Sequence, residues 1–291
     1  MRGTIIGTYV MEKFTKKLVI AATLIFLIFT IWWLVILLSG QQGTNNVVAE
    51  DFGFSYGLMA LYGGIIGIFA SKKWGGFRSC IGKAIGFIAL GLLAQEFGQV
   101  MYSYLGKTME TVPYPSVGDI GFFGSVILYL LGLWYLIAAL KTKGSIKSAK
   151  NKLVVVVMPA ALLVASYLIF LRGYEVDPSN TLATALDFGY PLGQAFYFSL
   201  AILAYVLSRK YLGGVMKPVI LTLIAALLLQ YVADFTFLYM NNRGLWKTAG
   251  INDFVYLVSY YVMTIGLLRF RISVDKLAAP SHLSSQTEEA S

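Results

Sequence analysis

Eight apolar runs, each of helix length and almost free of charge, constrain this chain more than anything else in its sequence. In hydrocarbon every backbone N–H and C=O must be paired within the protein, so a run that enters lipid is either a helix or part of a closed barrel. A helix crosses roughly 30 Å of hydrocarbon with about 17 to 25 residues. The runs over 18–39, 54–70, 84–104, 120–140, 153–171, 188–207, 218–240 and 254–270 have that length. Barrel strands alternate apolar and polar positions over about ten residues, and these runs do not. The predicted class is therefore all-α, an integral membrane bundle of eight helices. Composition points the same way: 58% of residues are hydrophobic and 13% charged, against about half and about a quarter in soluble domains.

The runs are ordered by a repeat. One short phrase occurs four times, as Asp51-Phe-Gly-Phe54, Asp119-Ile-Gly-Phe122, Asp187-Phe-Gly-Tyr190 and Asp253-Phe-Val-Tyr256, with successive aspartates 68, 68 and 66 residues apart. Lys17, Lys83, Lys152 and Lys217 keep the same beat, so the unit is a helical hairpin in four copies. The first hairpin is most like the third and the second most like the fourth, which predicts two parallel four-helix repeats over 17–140 and 152–271. An even number of spans gives both halves one orientation, so their symmetry axis should follow the membrane normal, unlike that of inverted-repeat transporters. Residues 1–16 are expected to be a cytoplasmic N-terminus. Residues 272–291, polar and rich in Ser and Glu, are expected to be a disordered cytoplasmic tail.

Charge orients the bundle. Nineteen of the 23 Lys and Arg fall on alternate loops and the two ends, and only Lys107, Arg172, Arg243 and Lys247 on the other loops. Basic loops stay in the cytoplasm, so both termini are predicted there, in a multi-pass protein of the cell membrane. Beside anionic lipid that distribution explains the +9 charge without nucleic acid, leaving membrane lipids as the expected partner. The N-terminal run is too long for a secretory signal and lacks a small-x-small cleavage site, so it reads as the first span. With one cysteine, Cys80, and one histidine, His282, the chain cannot build an internal disulfide, a His-rich metal centre, a bis-His haem or a Ser-His-Asp triad alone. No cofactor is expected.

The candidate functional residues are polar groups in apolar surroundings. Ionisable side chains inside hydrocarbon are site candidates by default, and Glu96 and Asp234 lie well inside the third and seventh runs. Gln95, Gln99 and Tyr102 follow i, i+4, i+7 spacing, as do Gln230, Asp234 and Phe237, 135 residues later. Two equivalent polar stripes are thus expected to face each other and line an outward-facing polar cleft. Asp51, Asp119, Asp187 and Asp253 are expected at the outer starts of the even-numbered helices. There they would cap free N–H groups at the positive end of the helix dipole, or form a ring of carboxylates at the mouth. Gly53/Gly57, Gly63/Gly67, Gly82/Gly86 and Gly189/Gly193 have the spacing that lets helix backbones approach closely in lipid. Trp32, Trp33, Tyr102, Tyr104, Tyr239 and Trp246 fit an aromatic belt, and Pro191 a first-turn proline.

Tyr114-Pro115-Ser116-Val117-Gly118-Asp119, continuing to Phe122, Tyr129 and Gly132-Leu133, resembles the Pro-Ser-x-x-Asp signature of bacterial multi-pass sensor regions that precede diguanylate cyclase or histidine kinase domains. Asp187 through Tyr190-Pro191-Leu192-Gly193 is similar to a second phrase of those regions. The resemblance implies a ligand-sensing or accessory membrane module with a cytoplasmic signalling partner, or a homo-oligomer, rather than an enzyme. Lys217-Pro218 with Asp234 also resembles, more faintly, the eight-span lysoplasmalogenase-like proteins. Two other functions fit the same carboxylates: a proton- or cation-coupled transporter or channel, and an intramembrane lipid hydrolase with Glu96 or Asp234 as general base.

Overall fold

A computed structural model describes residues 2–43, 46–140, 149–168, 180–211 and 216–278. Among the described residues there are nine α-helices and no strand: α1 (Arg2–Leu38), α2 (Val47–Ser55), α3 (Leu58–Lys73), α4 (Cys80–Thr108), α5 (Val117–Leu140), α6 (Ala149–Ser166), α7 (Thr181–Tyr211), α8 (Met216–Asn242) and α9 (Ile251–Ala278). Among the described residues seven stretches are long and apolar enough to cross a bilayer, with α2 and α3 together making one of them. α6 covers part of the fifth expected span, whose last residues lie outside the described ones. The chain is thus an all-helical protein of multi-pass membrane type.

Local chemistry sets the helix ends. Asn46 caps α2, its Oδ1 accepting from the Val48 and Ala49 amides at 3.0 and 3.4 Å. Asn180 does the same for α7 through the Ala183 amide at 3.1 Å, and Ser79 for α4 through the Gly82 amide at 2.9 Å. The turn joining α3 to α4 passes through Gly75 at φ 85°, which a glycine adopts without steric penalty.

Four boundaries differ from expectation. α1 begins at Arg2, so the segment expected as an N-terminal extension continues the first helix. α7 begins at Thr181 and carries Pro191 in its interior rather than its first turn. α9 runs to Ala278, into the stretch expected as a tail; His282 and the rest lie outside the described residues. The second span is interrupted between Ser55 and Leu58, where the Met59 amide bonds the Tyr56 carbonyl three residues back, a one-turn tightening of the helix.

α3, α4, α5, α7, α8 and α9 each pack on the next, and α9 closes on α3, so these six form a ring. α1 lies outside against α9, and α6 outside against α7. The α4–α5 crossing is closest at Gly98 and Gly121, where a Cβ on Gly121 would fall 2.4 Å from the Ala94 carbonyl oxygen and 2.5 Å from the Gly98 nitrogen. Only paired glycines allow that approach. The largest fully buried side chains are four tyrosines, Tyr56, Tyr129, Tyr197 and Tyr260. A core of tyrosines in a chain this apolar must place hydroxyls, so the interior of the ring is polar by construction.

Candidate functional site

The two stripes converge on those tyrosines. On α4, Gln95 donates through Nε2 to Ser125 Oγ of α5 at 2.7 Å and accepts from the Tyr260 hydroxyl of α9 at 3.2 Å. On α8, Gln230 accepts from Ser259 Oγ of α9 at 3.0 Å and donates to Asp234 Oδ1 at 3.1 Å. Asp234 accepts two further bonds, from Tyr256 at 2.9 Å and from Tyr197 of α7 at 3.0 Å. Three donors from three helices therefore surround one carboxylate. Gln99, half-buried, donates to the Gly53 carbonyl at 2.7 Å and accepts from Tyr56 at 3.2 Å, bracing the interrupted second span.

Glu96 is different. It is 8% exposed, yet its Oε2 has no hydrogen-bond partner among the described residues. The carboxylate lies against Gly57, where an added Cβ would stand 1.9 Å from Oε2, so only glycine at the interruption admits it. The Tyr129 hydroxyl, fully buried, also has no partner among the described residues. Buried polar atoms without partners are uncommon and mark places where a ligand, ion or water can be received.

Among the described residues no hydrogen bond joins the two stripes directly, and most of the side chains expected to line an outward-facing cleft are enclosed, with Gln99 half-buried. Gln95, Glu96, Gln230 and Asp234 are 3, 8, 0 and 8% exposed, so they line no open groove. The reason is α9. Tyr256 and Tyr260, one helical turn apart with rings 6.1 Å apart, enter the space between the stripes, and Tyr260 stacks on Tyr56 at 6.3 Å. Tyr260 reaches Gln95 on one side and Tyr256 reaches Asp234 on the other.

The four aspartates make different contacts. Asp253 accepts from the Ala249 amide at 2.8 Å, and Asp119 from the Ser116 amide at 2.8 Å, each holding the chain just before its helix. Asp119 also accepts from Tyr190 of α7 at 2.8 Å. Asp51 and Asp187 lie inside α2 and α7, whose starts are capped by Asn46 and Asn180 instead. Asp51 pairs with Lys107 at 2.7 Å in an exposed ion pair, and Asp187 accepts from Tyr114 at 2.7 Å. Each carboxylate thus has a local partner, which accounts for its position without a shared ligand.

Sequence reasoning missed Ser125, Ser259, Tyr56, Tyr197, Tyr256 and Tyr260. The serines were recoverable, since they stand 134 residues apart as Asp119 and Asp253 do. Trp33 was assigned to a lipid-facing belt. It is 5% exposed and donates to the Gly250 carbonyl at 3.1 Å, because the loop between α8 and α9 folds over it. Among the described residues no cluster of His, Cys, Asp and Glu could hold a metal ion. No family model matches the chain, and neither does any curated protein or solved structure.

Proposed function

We propose that this chain is a ligand-sensing or accessory module of the cell membrane. It consists of two parallel four-helix repeats whose shared polar core answers a small ligand or cation. One observation carries the reading: α9 holds the polar stripes of both halves, through Tyr260 to Gln95 and through Tyr256 and Ser259 to Asp234 and Gln230. Any change of charge or hydrogen bonding at either stripe is transmitted to one helix, the arrangement a membrane-embedded switch needs. The sequence resemblance to multi-pass sensor regions supports the same role.

The repeat is supported by the pattern of neighbours. Exchanging the halves turns the α4–α5 pair into α8–α9, α3–α4 into α7–α8, and α3–α9 into α7–α5, and all six pairs are packed. The Gln95–Ser125 and Gln230–Ser259 bonds occupy equivalent places under the same exchange. The lysines that punctuate the chain support an orientation with both termini cytoplasmic, where a signalling partner or a second copy would be met.

The test is purification from native membranes followed by reconstitution of whatever kinase or cyclase accompanies the chain. The reading expects enzymatic output that changes when Asp234→Asn is introduced. A partner whose output ignores Asp234→Asn and Glu96→Gln sinks it. A second reading, a proton or cation relay, is favoured by the unpartnered Oε2 of Glu96. It expects flux driven by a pH gradient in proteoliposomes that Asp234→Asn and Glu96→Gln abolish; flux unchanged by either removes it.

A further inference from the structure

At the end of the bundle where α1 meets the connection from α8 to α9, the surface opens into a pocket of about 200 Å³. Its walls are Trp33 and Leu37 of α1, Met240 of α8 and Ile251 of α9, all apolar, and its polar groups include Gln42 and Lys247. The shape is fixed from behind. Trp33 stacks on Phe254 at 4.2 Å and bonds the Gly250 carbonyl, while Gln42 donates to the Ala249 carbonyl at 2.9 Å. The Gly43 amide bonds the Thr248 carbonyl at 3.0 Å, which ties the two connecting segments together.

Among the described residues Lys247 is the only charged one in the lining. It is exposed and has no ion-pair partner among the described residues. Asp253, six residues on, points inward to the Ala249 amide instead. The pocket therefore combines an apolar recess with one available cation at its edge, at the level where the candidate spans ending at Leu38 and Asn241 and beginning at Ile251 reach the interface.

We propose that this pocket binds a medium-chain fatty acid as its carboxylate, with the head group on the Lys247 ammonium and the chain along Trp33, Leu37, Met240 and Ile251. About 200 Å³ is many times the ~10–15 Å³ that one water needs, so the recess takes several methylenes. The walls suit methylenes rather than water. A single short chain is the occupant that a recess of this size with one cation at its edge suits. The bound chain also touches Ile251, in the first turn of the helix that carries Tyr256 and Tyr260 into the core. The proposal uses none of the polar-core residues and stands apart from the sensing role.

The purified full chain in lipid nanodiscs, titrated with octanoate and with octanol, tests it by thermal unfolding and tryptophan fluorescence. Saturable octanoate binding is expected, with octanol at least tenfold weaker. Lys247→Glu should weaken octanoate at least tenfold and leave octanol unchanged, and Lys107→Ala should change neither. Met240→Trp, which fills the recess, should remove both. Equal affinity for octanoate and octanol, octanoate binding that survives Lys247→Glu, or no saturable binding would each overturn the proposal. Because Lys247 is exposed, the decisive variant does not depend on repacking the core. No readout involves Glu96 or Asp234, so failure here leaves the sensing role standing, and loss of the sensing role leaves this site standing.

Discussion

Tyr256→Phe isolates the bond by which α9 holds the Asp234 side of the polar core. The substitution deletes one hydroxyl, which donates to Asp234 Oδ1 at 2.9 Å, and keeps the ring that stands 6.1 Å from Tyr260. A hydrogen bond to a charged acceptor contributes about 1.5–3 kcal/mol in general. Interhelical bonds in a membrane bundle couple by only about 0.6 kcal/mol on average and about 1.7 at most. Asp234 keeps Tyr197 and Gln230 after the change, so its carboxylate is not orphaned, and the lower range applies. The expected loss is about 1 kcal/mol. Reversible unfolding in bicelles of the wild type, Tyr256→Phe, Asp234→Asn and the double variant gives the coupling directly. A coupling below about 0.3 kcal/mol, the limit within which independent sites add, would refute the claim that Tyr256 and Asp234 are joined.

Other substitutions separate packing from chemistry. Gly121→Ala drives a Cβ against backbone atoms of α4 at 2.4 and 2.5 Å, so the α4–α5 crossing must part, with a loss of about 2 kcal/mol or more. Gly124→Ala, three residues on in the same helix with nothing within 4 Å, should be neutral or stabilise by up to about 1 kcal/mol; similar melting temperatures for the two variants would contradict the crossing geometry. Gly57→Ala should cost about 1–3 kcal/mol by displacing Glu96. Adding Glu96→Ala should recover most of that loss, whereas additive losses in thermal unfolding would show that Glu96 does not lie over Gly57. Lys107→Ala removes an exposed ion pair and should move stability by less than about 0.5 kcal/mol; a larger shift would give Asp51 a role beyond that pair.

The all-helical class was legible because apolar run length alone separates helix from strand in lipid, and the starts of α5, α8 and α9 at Val117, Met216 and Ile251 fall close to the expected runs from 120, 218 and 254. The start of α7 was misread because Asp187 is a good capping residue at the wrong place. Asn180 reaches the first free amides, and α7 continues through Pro191 despite the lost N–H. The polar stripes were legible from spacing, since Gln and Asp in hydrocarbon are conspicuous. Their surroundings were not. Tyrosine reads equally well as interface anchor, core filler or hydrogen-bond donor, and only packing decides which. At Tyr260 it decides for the core, with 1% exposure and a bond to Gln95.

That ambiguity explains why an open cleft was expected around side chains that are in fact buried, Gln95, Gln230 and Asp234 among them. Counting polar groups on α4 and α8 alone leaves Gln95, Gln230 and Asp234 in need of water, and hence of an opening. Once α9 contributes Tyr256, Ser259 and Tyr260, each of those three side chains has protein partners, and water is not needed to satisfy them. Satisfying buried polar groups with tyrosine also makes the core two-sided, because a phenol can rotate from one acceptor to another at little steric cost. Among the described residues Glu96 Oε2 and the Tyr129 hydroxyl have no hydrogen-bond partner and leave the network incomplete. An incomplete network of this kind is the least stable part of a polar core, and the part an arriving proton, cation or small ligand can complete.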